Sequence, residues 1–322
     1  MKSQSKVLAQ VLSLFRSVET LGIYLALLVL VILFAFSNKA FLTPSNFINV
    51  LRQVSTLGIM AVGMTMIVLT GGVDLSVGAQ ISIIGVAISY FMVTVHVPPA
   101  LAVLVGVVLG LVIGFTNSLI VTRTRIPPLI ATLGMMQIVK GLSYTISGGL
   151  PIFGFPEDFA TLGQGSIGVI PTPIIVFAIA TLVGAFVLNK TVFGRTLYAI
   201  GSNAEATRLS GIDVKKNTLL VYVVGALFTA VAAVITLSRL NAGQPISGIG
   251  EEIDVLTAVI LGGVSFTGGE GSLSGVIAGV LILGVLGNGM VMAGLGEYLQ
   301  LILKGLVLLF ALSLDGLKHR QA

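Results

Sequence analysis

The sequence predicts an all-α, polytopic membrane protein of about ten transmembrane helices, with both termini in the cytoplasm. Three observations carry this. Of 322 residues, 56% are hydrophobic and only 9% are charged, against about 25% charged in ordinary soluble domains. The mean hydropathy is +1.10. Uncharged stretches of span length recur along the chain, and about 20 largely apolar residues are what a helix needs to cross the hydrocarbon core. Spans packed together share one core, so residues 1–322 read as a single transmembrane domain.

The apolar segments follow in order. Between Glu19 and Lys39 lie 19 uncharged residues. The basic start before them (Lys2, Lys6, Arg16) precedes a run too long for a cleavable leader and without an A-x-A site, so it reads as the first permanent span. Thr43-Pro44-Ser45 opens a second span over about 46–70. Leu75 to Thr122 is one uncharged run of 48 residues, enough for two spans, divided by the helix-stopping His96-Val97-Pro98-Pro99. The fifth span starts at Ile126-Pro127-Pro128 and ends near Ser147, and the sixth covers about 171–189. The seventh covers 217–238, a short eighth 255–269, the ninth 271–296 and the tenth 298–314.

Orientation follows from Lys and Arg. With the N-terminus inside, the tail, the Arg123–Arg125 loop, the segment around 190–216 and the C-terminus are cytoplasmic and hold 12 of the 17 basic residues. The loops at about 148–170 and 240–254, which carry Glu157, Asp158, Glu251, Glu252 and Asp254, then face outward. This bias accounts for the net charge of +5. No basic run is interleaved with aromatics, so no nucleic-acid partner is expected. The chain has no Cys, and its two histidines, His96 and His319, are far apart, so no metal or haem centre is expected.

Thr191 to Lys216 is the one sizeable polar island. Ser202 and Glu205 have the spacing of a capping box that would start a short helix. Gly211 followed by Ile212 is suited to a left-handed stop. A self-contained helix between spans is either a solvated loop with an incidental turn or a docking surface for a partner outside the bilayer.

Gly71 to Gly78 (GGVDLSVG) places Asp74 in the longest apolar stretch. Asp74 either caps the third span through the amide of Ser76 or Val77, or lines a pathway beside irregular backbone, which an ionisable residue at membrane depth favours. Both are compatible. Asn117, Gln137, Asn288 and Gln300 are neutral hydrogen-bonding groups within spans. They are suited to interhelical bonding or to a neutral polyol; Asp74, Ser76, Asn117, Gln137 and Asn288 are the candidate pathway residues. Lys140 is expected to reach the outer interface, Lys304 to pair with Glu297, and Arg239 with Glu251, Glu252 or Asp254. Gly106, Gly110 and Gly114, and Gly275 with Gly279, repeat at four-residue spacing and signal close helix packing. Val68–Gly78 (VLTGGVDLSVG) faintly echoes Val259–Gly269 (VILGGVSFTGG).

There is no G-x-x-x-x-G-K-[ST], so this chain does not cradle ATP in a P-loop. Nor is there a Ser/His/Asp set or a metal cluster, so no enzyme activity is expected.

GGVDLSVGA at 71–79, GRTLYAIGSNAEATRLSGIDV at 194–214 and LGGVSFTGGEGSLSG at 261–275 together resemble the inner-membrane permeases of bacterial ABC sugar importers, most of all the ribose-type branch. That branch also includes xylose, arabinose, allose and galactoside systems. The resemblance covers nearly the whole chain. It implies two permease subunits, two cytoplasmic ATPases holding ATP and Mg, and a periplasmic sugar-binding protein, with no cofactor on this chain. It further implies that a cytoplasmic E-A-A-x-x-x-G loop docks in the ATPase. Here Glu205, Ala206, Thr207 and Gly211 carry it, with Thr207 in place of the second Ala, and Ser202 and Arg208 belong to the same helix. Another cargo, such as branched-chain amino acids or nucleosides, is the first rival. An ion-coupled secondary transporter and a membrane anchor are the others.

Overall fold

The structure, a computed structural model, describes residues 22–319. The expected basic N-terminal tail and Arg320 lie outside the described residues.

Helix α1 (Gly22–Ser37) leads into α2 (Pro44–Val68), whose N-cap Thr43 accepts from the Asn46 amide. Pro44 at the first position has no N–H to leave unpaired. After a polar first part, α2 is buried without interruption from Val54 to Val68, as a central post should be. It packs against α7 (Thr172–Lys190), α10 (Val214–Leu240) and α12 (Leu273–Met292). At the α2–α10 crossing, a Cβ on Gly63 would lie 3.0 Å from the Gly225 carbonyl oxygen, so glycine lets the backbones close.

α3 (Val77–Ser89) is buried throughout and ends in a π-helical turn, Tyr90–Thr94. His96, at φ 63°, and Pro99 then turn the chain into α4 (Pro99–Arg123), as the sequence predicts. α4 buries one stripe only. A Cβ on Gly106 would meet Ile88 at 2.4 Å, and one on Gly114 would meet Ala226 at 2.4 Å. The glycine ladder therefore seats α4 on α3 and α10, and its role is packing.

α5 (Pro128–Ser147) stops at Gly148, which has φ 63°. The outer segment that follows is ordered. It holds α6 (Glu157–Gln164) and a hairpin of β1 (Ser166–Ile167) and β2 (Ile170–Pro171). The Ser238 hydroxyl on α10 donates to the Phe159 carbonyl at 2.6 Å and accepts the Gly163 N–H at 2.7 Å, fixing α6. An antiparallel bridge between Ile152 and Gly243 joins the two outer loops.

The polar island forms α8 (Val192–Ser202) and α9 (Ala204–Leu209). After α10 come α11 (Glu251–Leu261), α12 and α13 (Glu297–His319). Seven helices among the described residues are long and apolar enough to span a membrane: α2, α3 with its π turn, α4, α5, α7, α10 and α12. α1, α11 and α13 stand where the first, eighth and tenth spans are expected, and the count of ten rests on them. The eighth differs most. Its helix starts earlier than expected and stops at Leu261, because Gly262 lies against the α12 backbone and Gly263 turns at φ 82°. Eleven residues at about 1.5 Å each reach about 16 Å, half of the hydrocarbon core. Two irregular breaks result, 69–76 after α2 and 262–272 after α11, and they overlap the stretches 68–78 and 259–269 that echo each other in sequence.

Candidate functional site

The end expected to face the cytoplasm is built on α8 and α9. Thr191 caps α8 by accepting the Gly194 amide. Phe193, Leu197 and Ile200 recur at helical spacing, and Leu197 and Ile200 are buried. The predicted capping box does not form. Ser202 closes α8, and Asn203, in extended conformation, caps α9 by accepting the Ala206 amide at 2.8 Å. Asn is as good a cap as Ser. Ser202 is instead held against Gly269, whose Cβ would lie 2.6 Å from its hydroxyl oxygen. Glu205 is free to turn to Arg208, with which it pairs across one helical turn. This guanidinium holds the Glu205 carboxyl below its usual range.

The stop of α9 is as the sequence predicts. Gly211 adopts φ 84°, its N–H bonds to the Arg208 carbonyl at 3.0 Å, and the Ile212 N–H reaches Thr207 at 3.4 Å. This is a Schellman stop. Thr207 is buried, and its hydroxyl bonds to the carbonyls of Ala199 and Asn203, each at 2.8 Å. It faces inward and ties α9 to α8. Glu205, Ala206, Arg208 and Gly211 are exposed, and Leu209 is 73% exposed.

The second cluster lies at the first break. Asp74 is 1% exposed. It accepts from the Ser76 amide at 2.9 Å and the Ser76 hydroxyl at 2.6 Å. Gln80 and Asn117 donate their amides to it and to the Ser76 oxygen. Asp74 accepts the Ser76 amide, as expected, but in a turn ahead of α3 and not as its cap, since the N-cap is Ser76, which makes no side-chain cap bond; Asp74 also binds α4. The amide oxygens of Gln80 and Asn117 have no partner among the described residues. Around this set, Tyr222 on α10 and Thr132 on α5 donate to the Val73 carbonyl at 3.2 and 3.3 Å. Irregular backbone at membrane depth requires protein partners of this kind.

Not all of the expected polar residues join. Asn288 pairs reciprocally with Asn46 at 2.9 and 3.0 Å, which bonds α12 to α2. Gln137 is exposed on α5, apart from Asp74. Gln300 donates to the Leu295 carbonyl. Gln80, Thr132 and Tyr222 are absent from the sequence reading. Of these, only Gln80 carried a signal, four residues after Ser76 and hence on the same helical face.

The opposite end, expected to face outward, carries charges. Lys304 pairs with Asp254, joining α13 to α11, rather than with Glu297. The reason is that Glu297 opens α13 two turns away, while the start of α11 packs beside the lysine. Among the described residues Arg239 forms no ion pair with Glu251, Glu252 or Asp254, and its carbonyl accepts from the Gln164 side-chain amide at 3.1 Å.

The family described as "Branched-chain amino acid transport system / permease component" matches residues 46–312. The ribose import permease protein RbsC of Bacillus subtilis (strain 168) is 40% identical over 299 residues, 92% of this chain and 92% of the relative. The galactose/methyl galactoside import permease protein MglC of Escherichia coli (strain K12) is 36% identical over 318 residues, 93% of this chain and 95% of the relative. The L-arabinose ABC transporter permease protein AraH of Azospirillum brasilense is 36% identical over 300 residues, 93% of this chain and 88% of the relative. No solved structure matches. The resemblance drawn from the three motifs is therefore correct. This all-α, multi-pass chain of the bacterial inner membrane is a transport subunit, and it belongs to the ABC import permease family whose description is branched-chain amino acid transport system / permease component.

Proposed function

We propose that this chain is the membrane-spanning subunit of an ATP-driven importer of monosaccharides. Two copies, or this chain and a second permease, form the pathway. Two cytoplasmic ATPases hold ATP and Mg, and a periplasmic sugar-binding protein delivers cargo to the outer loops. The names of the relatives support the cargo class, since they are permeases for ribose, galactose or methyl galactoside, and L-arabinose. The observation that carries the docking part is α9. It is a helix with its own cap and stop, braced from below by Thr207, and it presents Glu205, Arg208 and Leu209 outward. The bridge between Ile152 and Gly243 supports the two outer loops as one landing surface.

In operation, ATP draws the ATPases together, and they carry the two α9 helices with them. The spans above reorient, so that a cavity open to the outside becomes open to the cytoplasm. Such a cycle uses differential binding of the two states by ATP and by the loaded binding protein.

The test is reconstitution with the ATPase and the binding protein. Glu205→Lys and Gly211→Pro should each abolish ATPase capture while the permease remains in the membrane. Normal capture and transport by both would overturn the docking role. A panel of pentoses, hexoses and branched-chain amino acids presented to the binding protein tests the cargo. Stimulation of ATP turnover by leucine or isoleucine, with no response to any sugar, would replace the sugar reading with the amino-acid one.

A further inference from the structure

The three sequence motifs that are far apart in the chain meet at one point. Gly201, in the last turn of α8, has no room for a side chain. A Cβ there would lie 2.0 Å from the Leu69 carbonyl oxygen, 2.2 Å from the Gly269 nitrogen and 2.9 Å from the Gly268 carbonyl carbon. All three are backbone atoms, so no rotamer change relieves the overlap. Leu69 and Gly269 are themselves joined, the Gly269 N–H donating to the Leu69 carbonyl at 2.9 Å. Gly268, at φ 89°, closes the ring: its Cβ would meet the Gly71 nitrogen at 2.6 Å and the Gly201 Cα at 3.1 Å. L-residues other than Gly rarely adopt that backbone conformation. Beside this contact, the Tyr198 hydroxyl bonds to the Gly271 carbonyl.

The contact joins three elements that otherwise differ in kind. α8 is tied to the exposed α9 through Thr207 and Ala199. The break at 69–76 leads to the Asp74 cluster and so to α3, α4, α5 and α10. The break at 262–272 leads to α11 and α12. Backbone-to-backbone contact of this kind is stiff, because close-packed interiors transmit displacement and do not absorb it. Both breaks lack a helical ladder, so they are the places where the membrane helices can change direction.

We infer that Gly201 is the positioning residue through which movement of the docking helix reaches both breaks at once. It neither touches the cargo nor binds the ATPase. The inference rests on the docking reading above and adds the route inward.

The discriminating variant is Gly201→Ala. Ala favours helix over Gly, so a defect would arise from the contact and not from a weakened α8. The complete wild-type complex and the variant are placed in lipid nanodiscs, and amide hydrogen exchange is followed with and without ATP and Mg2+. In the wild type, ATP is expected to change exchange in 69–76 and 262–272 together. In the variant, ATPase capture stays within about twofold, while the ATP-dependent change in both segments falls about tenfold, the scale of an overpacked contact. A variant whose two segments respond like the wild type overturns the inference. If the variant fails to assemble, the wild type decides alone: a joint response supports the inference and silence in either segment overturns it. Failure of the wild type to capture ATPase is a separate result, which removes the docking reading and this inference with it.

Discussion

The Asn117 side chain on α4 donates to both carboxylate oxygens of Asp74, 3.3 Å from each, across 43 positions of sequence. With Ser76 and Gln80 it gives the buried carboxylate a full set of donors. Asp74→Ala should leave those donors unpaired and lower stability by about 3 kcal/mol, since a buried orphan costs about 1–3 kcal/mol. Asp74→Asn should cost far less, because Gln80 and Asn117 can turn their unpartnered amide oxygens toward the new NH2 group. Thermal unfolding in detergent checks the order of the two variants. Transport lost in Asp74→Asn at unchanged stability would assign the charge itself to the transport cycle.

Thr207 is a tie and not a docking contact. Thr207→Val keeps its shape and removes the bonds to Ala199 and Asn203, a loss of about 1 kcal/mol. ATPase capture should weaken about fivefold, the corresponding equilibrium shift, and Thr207→Ser should restore it. Titrated pull-down from membranes measures both. Unchanged capture in Thr207→Val would mean that α9 is held by its Asn203 cap and its Gly211 stop without the Thr207 tie.

The pair between Lys304 and Asp254 is shielded, with side chains 30% and 22% exposed. Lys304→Ala or Asp254→Ala should each destabilise by about 1–2 kcal/mol, and the double variant by less than the sum. A double-mutant cycle on thermal stability reads the coupling. Additive losses would show that the pair contributes nothing.

At the outer mouth, burial first and then Asp254 push the Glu251 carboxyl up to about 7, from 4.5, with Lys304 and Arg239 opposing. Between these values the unfolded chain gives up this proton and the folded chain keeps it. Stability should therefore fall as pH rises from 4.5 to about 7, by at most about 1.4 kcal/mol per unit. Glu251→Gln should reduce that slope, leaving a remainder from Glu252, which burial also raises. Melting temperatures across this range test it, and an unchanged slope in the variant would remove Glu251 as its source.

Local signals in the sequence were read well where local chemistry decides. Gly211 before Ile212 announces a left-handed stop, which exists, and Asp74 two residues before Ser76 announces a bond to the Ser76 amide, which forms as a turn ahead of α3 and not as its cap. The small residues of α4 likewise announced close packing, because spacing alone places them on one face. Where two local signals compete, tertiary position chooses. Ser202 and Asn203 are both able caps, and Ser202 is withdrawn by its seat against Gly269. The reach of the Asp74 cluster to Asn117, Thr132 and Tyr222 was illegible, since nothing in a single sequence states which spans are neighbours. The same ignorance hid α8, whose polar neighbours masked an apolar stripe of three residues, and the stop of α11 at Leu261.

The short α11 has a consequence for biogenesis. Eleven residues cannot hold a place in the bilayer as an independent unit, and the non-helical backbone of 262–272, whose amides bond within the break and to Leu69 and Asp315, cannot face lipid. The Gly269 amide finds its acceptor on Leu69, and Gly201 closes the contact from a third segment. α11, the short arm of the α11–α12 hairpin, therefore settles against a partly assembled bundle, after α2 and α8 are in place, whereas α12 is long enough to span alone. Synthesis in chain order supplies that sequence of events. A chain with this hairpin moved to the N-terminus by circular permutation would meet the bilayer before its acceptors exist.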